Sequence, residues 1–89
     1  MINETYLTHP NFGLLFSLCR IDKNQTLYTT LYAQRLFFIV GNKEDRLSFD
    51  SISRQEAKNL VEIRMRELRR AGLAEEIKSI QTVYKQTFQ

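Results

Sequence analysis

The residue types that carry most catalytic chemistry are scarce in this sequence. Its 89 residues include one histidine, one cysteine and three glycines. His9 precedes a proline in a predicted turn, where a surface or hydrogen-bonding histidine is more typical than a catalyst. Every histidine-dependent relay would need this residue, and the sequence has neither a Cys/His zinc cluster nor a glycine-rich phosphate loop. These features indicate a binding protein that is not an enzyme.

The single cysteine also bears on cellular location. Cys19 has no partner for an internal disulfide, which suits a reducing cytoplasm. It falls in a predicted strand, so we expect a buried and unreactive thiol. The first residues lack a basic segment followed by an apolar one, and no apolar run approaches the ~20 residues of a membrane helix. We therefore expect a cytoplasmic protein without a membrane partner.

Residues 27–40 hold the strongest candidate binding residues. This stretch is rich in β-branched and aromatic residues, and its period-two pattern restarts after position 34. We predict two strands that meet at a tight, exposed corner. The corner and its flank contain residue types that are common in binding hot spots, namely Tyr32, Gln34, Arg35 and Leu36. Phe38 shares the alternate face of Leu36. An alternative interpretation is that Tyr32 and Phe38 only cover an open face of the sheet.

A basic helix is the second candidate binding feature. Residues 54–89 contain eight basic and five acidic residues and supply the whole net charge of +3, whereas residues 1–53 are neutral. Four arginines could contact nucleic acid, namely Arg64, Arg66, Arg69 and Arg70. However, the spacing from Glu62 to Arg66 and from Glu67 to Arg70 also suits ion pairs on one helix. A solvated, ion-paired helix face is the more ordinary interpretation.

The elements that position these residues fall into two parts, residues 1–52 and residues 53–89. Four short strands are predicted in the first part, at residues 12–21, at 46–50 and twice within 27–40. The strand at 12–21 is apolar on both faces and is predicted to be central, with Gly13 marking a bulge or a close backbone approach. In the last strand, Leu47 and Phe49 are predicted to point inward. These features favour a small antiparallel barrel or a strongly curled sheet.

The second part has a helical period. Ser53 and Glu56 form a predicted capping box, and Gly72 is a natural helix stop. A second helix begins near Ala74, and its apolar stripe contains Ile77, Ile80, Val83 or Tyr84, and Phe88. The short link predicts an αα-hairpin. The fold class is therefore α+β.

Several motifs resemble one known family over essentially the whole chain. They are Glu4-Thr5-Tyr6-Leu7, His9-Pro10, Phe12-Gly13-Leu14-Leu15, Thr29-Thr30-Leu31-Tyr32-Ala33-Gln34-Arg35-Leu36-Phe37-Phe38, Ile52-Ser53-Arg54, Leu68-Arg69-Arg70 and Thr87-Phe88-Gln89. The sequence resembles the cyanobacterial PII-interacting protein X family. The resemblance implies a Tudor-like (KOW-like) β-barrel followed by two helices.

The resemblance also implies a function in nitrogen regulation. Members of the family are adaptors and transcriptional co-activators that exchange between two partners. One partner is the trimeric signalling protein PII, which binds them when ADP is favoured and 2-oxoglutarate is scarce. The other is the transcription factor NtcA, whose dimer is active with 2-oxoglutarate. A third regulator of the GntR type, PlmA, is implied through the PII complex. By this resemblance 2-oxoglutarate, ATP and ADP bind the partners, and the chain has no cofactor. We expect no direct contact with DNA, because residues 1–53 are neutral, and we expect a monomeric free chain.

The matching motifs assign roles to individual residues. Tyr32 is implied to be the central anchor and Arg35 a charged contact, while Leu36 and Phe38 add apolar contact. Gln34 and Tyr6 flank them, with Glu4 nearby, and Arg69 ties down the helical hairpin or meets a partner. Two other functions remain open: a KOW-like RNA- or ribosome-binding module that uses the aromatics and the arginine helix, and a subunit that docks constitutively.

Overall fold

The computed structural model describes residues 5–30 and 36–88, which form one sheet and two helices. The strands are β1 (Tyr6–His9), β2 (Gly13–Arg20), β3 (Gln25–Thr30), β4 (Phe37–Lys43) and β5 (Arg46–Ile52). The helices are α1 (Arg54–Ala71) and α2 (Ala74–Phe88). Each strand pairs antiparallel with the next, and the sheet curls into a half-barrel. This arrangement confirms the predicted α+β fold with a small barrel and an αα-hairpin.

The first strand, β1, was not predicted, because the sequence pattern indicated only four strands. β1 pairs with β2 from Tyr6 opposite Phe16 to His9 opposite Gly13. The predicted turn after His9 is present, but the four residues before it are too few to display a period-two pattern. Pairing with β2 defines this strand more than its own sequence does.

β2 is an interior strand, as predicted, because it pairs with both β1 and β3. The predicted bulge or close backbone approach at Gly13 is not observed, and the strand is irregular further along. A Cβ on Gly13 would meet nothing within 4 Å, so no backbone approaches it closely; the glycine instead adopts a φ of +76°. The register shifts between Ser17 and Cys19. As a result, Leu18 and Cys19 both enter the same hydrophobic cluster despite being adjacent.

The sheet has a hydrophobic cluster on each face. The helix-side core joins the sheet to both helices and contains Leu18, Cys19, Leu27, Phe37, Ala57, Val61 and Phe88. The sheet-side core contains Leu15, Tyr28, Phe38 and Val40, with Leu7 and Phe49 packed against it. Phe49 points inward as predicted, but the same prediction for Leu47 is wrong, because Leu47 is 48% exposed. Leu47 lies beside the β4–β5 turn, opposite Asn42, beyond the reach of the sheet-side core.

Helix α1 begins and ends as its sequence predicts. The Ser53 Oγ accepts a hydrogen bond from the Glu56 amide at 3.1 Å, and the Ser53 amide donates to the Glu56 carboxylate at 3.2 Å. At the other end Gly72 is left-handed, with a φ of 73°, and its amide donates to the Arg69 carbonyl at 3.1 Å. Capping at both ends fixes the length of the helix and the position of the turn that follows.

Helix α2 packs through the predicted stripe. Ile80, Val83 and Tyr84 lie against the helix-side core, and the Phe88 ring stacks on the Phe37 ring with centroids 5.5 Å apart.

The predicted ion pairs on α1 differ from those observed. Within the part of the chain that the structure describes, Arg64 pairs with Glu67 at 3.8 Å, in place of the two predicted pairs. Both side chains are partly exposed, so this pair adds little to stability.

Candidate partner-binding surface

The register of the sheet brings two connections to one end. His9 and Gly13 pair at the β1–β2 turn, and Thr30 donates its amide to the Leu36 carbonyl at 3.2 Å across the β3–β4 connection. At the same end β5 leaves the sheet at Ile52, opposite Phe37. We call this the loop end of the sheet, defined by residues 9–12, 30, 36 and 52–53. It presents chain connections, which is where binding residues are most often found.

Several predicted site residues fall outside the described residues. These are Glu4, Tyr32, Gln34 and Arg35, together with the predicted corner itself. The structure does describe both flanks of that segment, at Thr30 and Leu36. Those flanks place the attachment points of residues 31–35 at the loop end.

Leu36 has the exposure expected of an apolar contact residue. Its side chain is 37% exposed. Its carbonyl accepts two hydrogen bonds, one from the Thr30 amide and one from the Thr29 hydroxyl at 2.8 Å. Because Thr29 is buried, this second bond fixes the backbone at the start of β4. Leu36 is thus an exposed apolar group on a firmly held backbone.

Phe38 is the clearest correction among the predicted site residues. It is only 4% exposed and belongs to the sheet-side core, so the expectation that it lies open for apolar contact is wrong. The physical reason is the missed strand β1, which brings the His9 ring over Phe38 with centroids 5.1 Å apart. Phe38 packs beneath the surface that it was expected to form.

Tyr6 is exposed but lies on the other face of the sheet from Phe38. Its ring is 51% exposed and lies 5.7 Å from the Phe16 ring. Phe16 packs against the helix-side core, so Tyr6 extends that face rather than the sheet-side one. The structure therefore does not bring Tyr6 and Phe38 together.

Arg69 lies far from the loop end. It is exposed in the last turn of α1, fifteen residues after Arg54, which corresponds to about 22 Å along a helix. A different arginine ties the hairpin down: Arg54 donates from Nη2 to the Thr87 carbonyl at 2.9 Å. This role was not predictable from the sequence, because the two residues are 33 positions apart and belong to different helices.

His9 and Phe12 were also missed as parts of this surface. The His9 Nδ1 accepts hydrogen bonds from the Asn11 amide at 3.0 Å and the Phe12 amide at 3.3 Å, so the turn is held by a side chain. The lone histidine is thus a hydrogen-bonding residue, as predicted. The run His9-Pro10-Asn11-Phe12-Gly13 could have indicated that Phe12 belongs to the turn, but Phe12 was predicted to begin a strand.

The Cys19 thiol plays no part in this surface. Cys19 is buried, which confirms the prediction. Burial raises the pKa of the thiol to about 12, although the positive charge of Arg64 opposes the rise. A thiol with so high a pKa is a poor nucleophile at neutral pH. A cleft of about 450 Å³ lies beside it between β2 and the hairpin, lined in part by Arg20, Arg64 and Glu76.

The loop end thus combines exposed apolar side chains with a fixed backbone, which is suited to binding another protein. A model of the PipX family, described as PII-interacting protein X, matches residues 3–88 of the chain. The chain belongs to the PipX family. A comparison with curated protein sequences gives no match. The family name indicates interaction with PII, so binding of PII is the property that membership gives this chain.

PipX-family proteins are regulatory adaptors, a class distinct from enzymes. Within residues 5–30 and 36–88, no three His, Cys, Asp or Glu side chains are grouped so that they could hold a metal ion. Neither described helix is both long and apolar enough to cross a bilayer.

Proposed function

We propose that this chain is a non-enzymatic adaptor and transcriptional co-activator in nitrogen regulation, which exchanges between PII and NtcA. PII binds it when ADP is favoured and 2-oxoglutarate is scarce, and the NtcA dimer binds it when 2-oxoglutarate is abundant. One observation carries the proposal. In a chain of the PipX family, residues 31–35 are attached at the loop end of the sheet, where the exposed Leu36 lies on a hydrogen-bonded backbone.

The proposed contacts follow the residue types. Tyr32 is the aromatic anchor, Arg35 offers a bidentate donor to a carboxylate, and Leu36 adds apolar area. Gln34, Tyr6 and Glu4 contribute at the margin. Since one set of residues serves both partners, binding of PII and binding of NtcA exclude each other.

The switch resides in the partners. In this proposal 2-oxoglutarate, ADP and ATP bind PII or NtcA, and the chain itself needs no cofactor. A ligand shifts an exchange equilibrium only through its different affinity for the two states of its protein. The adaptor therefore moves toward whichever partner the ligand has made the tighter binder.

Further features of the proposal concern assembly and location. The free chain is a monomer in the cytoplasm, and PlmA joins through the PII complex. On NtcA the chain contacts protein and not DNA, which is supported by the equal numbers of acidic and basic residues in residues 1–53. A DNA-binding surface is usually strongly basic.

The test is a calorimetric titration of the chain against PII trimers, first with ADP alone and then with ATP plus 2-oxoglutarate. We expect tight binding in the first condition and loss of binding in the second. The complex formed with ADP should then be dissociated by NtcA and 2-oxoglutarate. Absence of binding in both conditions would overturn the proposal, and equal binding in both would make the chain a constitutive subunit instead.

A salt series separates this function from nucleic-acid binding. The same chain is titrated with single-stranded RNA between about 50 and 200 mM salt, the range over which phosphate contacts lose most of their affinity. We expect no RNA binding at either concentration. RNA binding that weakens steeply with salt, without PII binding, would favour the KOW-like module.

A further inference from the structure

Phe12 is a large apolar side chain that the fold leaves in solvent. It is 50% exposed although its ring lies close to two others, at 4.9 Å from His9 and 5.7 Å from Phe38. The rings of His9 and Phe38 lie against the Phe12 ring, yet half of the Phe12 surface remains exposed at the loop end. Exposing apolar surface of phenylalanine to water is unfavourable in free energy, and a polar residue in this turn would not have this penalty.

The turn that carries Phe12 is held rigidly. The Phe12 amide donates to the His9 Nδ1 at 3.3 Å and the Asn11 amide donates to the same atom at 3.0 Å, so the backbone before Gly13 is tied to the His9 side chain. Beneath it, the His9 ring also contacts the Phe49 ring at 4.8 Å. A side chain that is already ordered loses little conformational entropy when a partner covers it.

Phe12 also lies near the residues expected to bind. Its ring approaches Phe38, and Phe38 is two residues from the exposed Leu36. Both exposed side chains belong to the loop end, where residues 31–35 are attached. The exposed Leu36 and Phe12 thus lie at the same end of the sheet, on either side of the buried Phe38.

We propose that Phe12 is a contact residue for PII, extending the binding surface from residues 31–36 across the loop end to the β1–β2 turn. This inference rests on the proposed function and adds a residue that its site did not include. PII is the occupant because binding of PII is what the family gives this chain, and because Phe12 shares the loop end with Leu36, the exposed flank of the proposed anchor segment. Aromatic residues, including phenylalanine, are enriched at the cores of protein interfaces.

The test compares Phe12→Ala with Leu47→Ala in calorimetric titrations of the whole chain against PII with ADP. Leu47 is a matched control because it is similarly exposed but sits near the opposite end of the sheet, five residues along β5 from Ile52, or about 17 Å. We expect Phe12→Ala to weaken binding about tenfold or more. Leu47→Ala should leave the affinity within about twofold, as expected for a residue outside the interface. Wild-type affinity in a folded Phe12→Ala chain would overturn the inference.

A photocrosslinking experiment covers the possibility that Phe12→Ala disturbs the fold. A benzoylphenylalanine at position 12 replaces one aromatic ring by a larger one, and the same group is placed at position 47 as a control. Illumination with PII and ADP should crosslink position 12 and not position 47. Crosslinking from neither position, in chains that still bind PII, would contradict the contact.

The two proposals fail in different ways. If the wild-type chain does not bind PII, the proposed function itself is wrong and this inference falls with it. If the wild-type chain binds PII and Phe12→Ala binds it with unchanged affinity, the proposed function stands and Phe12 lies outside the binding surface.

Discussion

The Arg54 guanidinium lies over the Phe88 ring, 5.3 Å from its centre, and joins the first residue of α1 to the last residue of α2. The same guanidinium donates to the Thr87 carbonyl, and both Thr87 and Phe88 are buried. Phe88 in turn stacks on Phe37 in the sheet. One exposed arginine therefore closes the helical hairpin at the point where the hairpin meets the strands.

Arg54→Ala should destabilise the protein by about 1.5 kcal/mol, since it removes a charge-assisted hydrogen bond and a cation–π contact. The buried Thr87 carbonyl would also lose its partner. The midpoint of urea unfolding measures the loss. Arg66→Ala, an exposed mid-helix control, should change stability by no more than about 0.5 kcal/mol. Equal effects of the two substitutions would show that the Arg54 contacts contribute nothing particular.

Gly72→Ala should lower the free energy of unfolding by about 1 kcal/mol, through backbone strain alone. Gly72 has a φ of +73°, and a Cβ built there would meet nothing within 4 Å, so no clash adds to the conformational strain. Gly72→Asn is the matched variant, and it should cost less because asparagine tolerates the left-handed region better. The unfolding temperatures of the two variants test this. If Gly72→Ala is as stable as Gly72→Asn, the turn rearranges and the predicted strain is absent.

The helices were predictable because their signals are local. The Ser53–Glu56 capping box, the Gly72 stop and the α2 stripe ending at Phe88 are each encoded within a few residues, and each is present. β1 and the contacts of Arg54 were not predictable, because both depend on partners distant in sequence. The inward prediction for Leu47 failed for a related reason: alternation gives the face of a strand but not where the core beneath it ends.

Cys19 should react slowly with thiol reagents in the native state. Burial raises the pKa of its thiol to about 12, so almost no thiolate is available near neutral pH. Iodoacetamide labelling at pH 8, with and without urea, should show a large acceleration on unfolding. Comparable rates in both conditions would contradict the burial.

The raised pKa of Cys19 also predicts a pH dependence of stability. The unfolded chain loses this proton near its ordinary pKa of 9.0, whereas the folded chain retains it up to about 12. The stability that the protonated thiol contributes is therefore fully present below pH 9.0 and is lost as the pH rises from there toward about 12. Cys19→Ala, compared with wild type over this range, should show a shallower decline.

Tyr32→Ala should leave the fold intact and weaken binding to both PII and NtcA by about 2 kcal/mol or more, the scale of a hot-spot residue. Calorimetry with each partner measures the loss, and circular dichroism checks the fold. Leu47→Ala again serves as the exposed control. Loss of binding to one partner only would mean that PII and NtcA use different surfaces.

The exposure of Leu36 was predictable from the sequence, whereas the surroundings of Phe38 and Phe12 were not. Residue types drew attention to residues 32–36, and the structure places the described flank, Leu36, in an exposed position. Phe38 was misassigned and Phe12 overlooked for one shared reason. Both depend on the His9 ring, whose position requires β1 to pair with β2.

Phe37 and Phe38 are adjacent, yet one enters the helix-side core and the other the sheet-side core. The chain is therefore anchored in two separate hydrophobic layers immediately after Leu36. A substitution in either layer, at Phe88 on one side or Tyr28 on the other, should alter the packing of the first residues of β4 without changing any exposed residue. If the loop end binds PII as proposed, substitutions in either core should therefore change the affinity for PII without altering a contact residue.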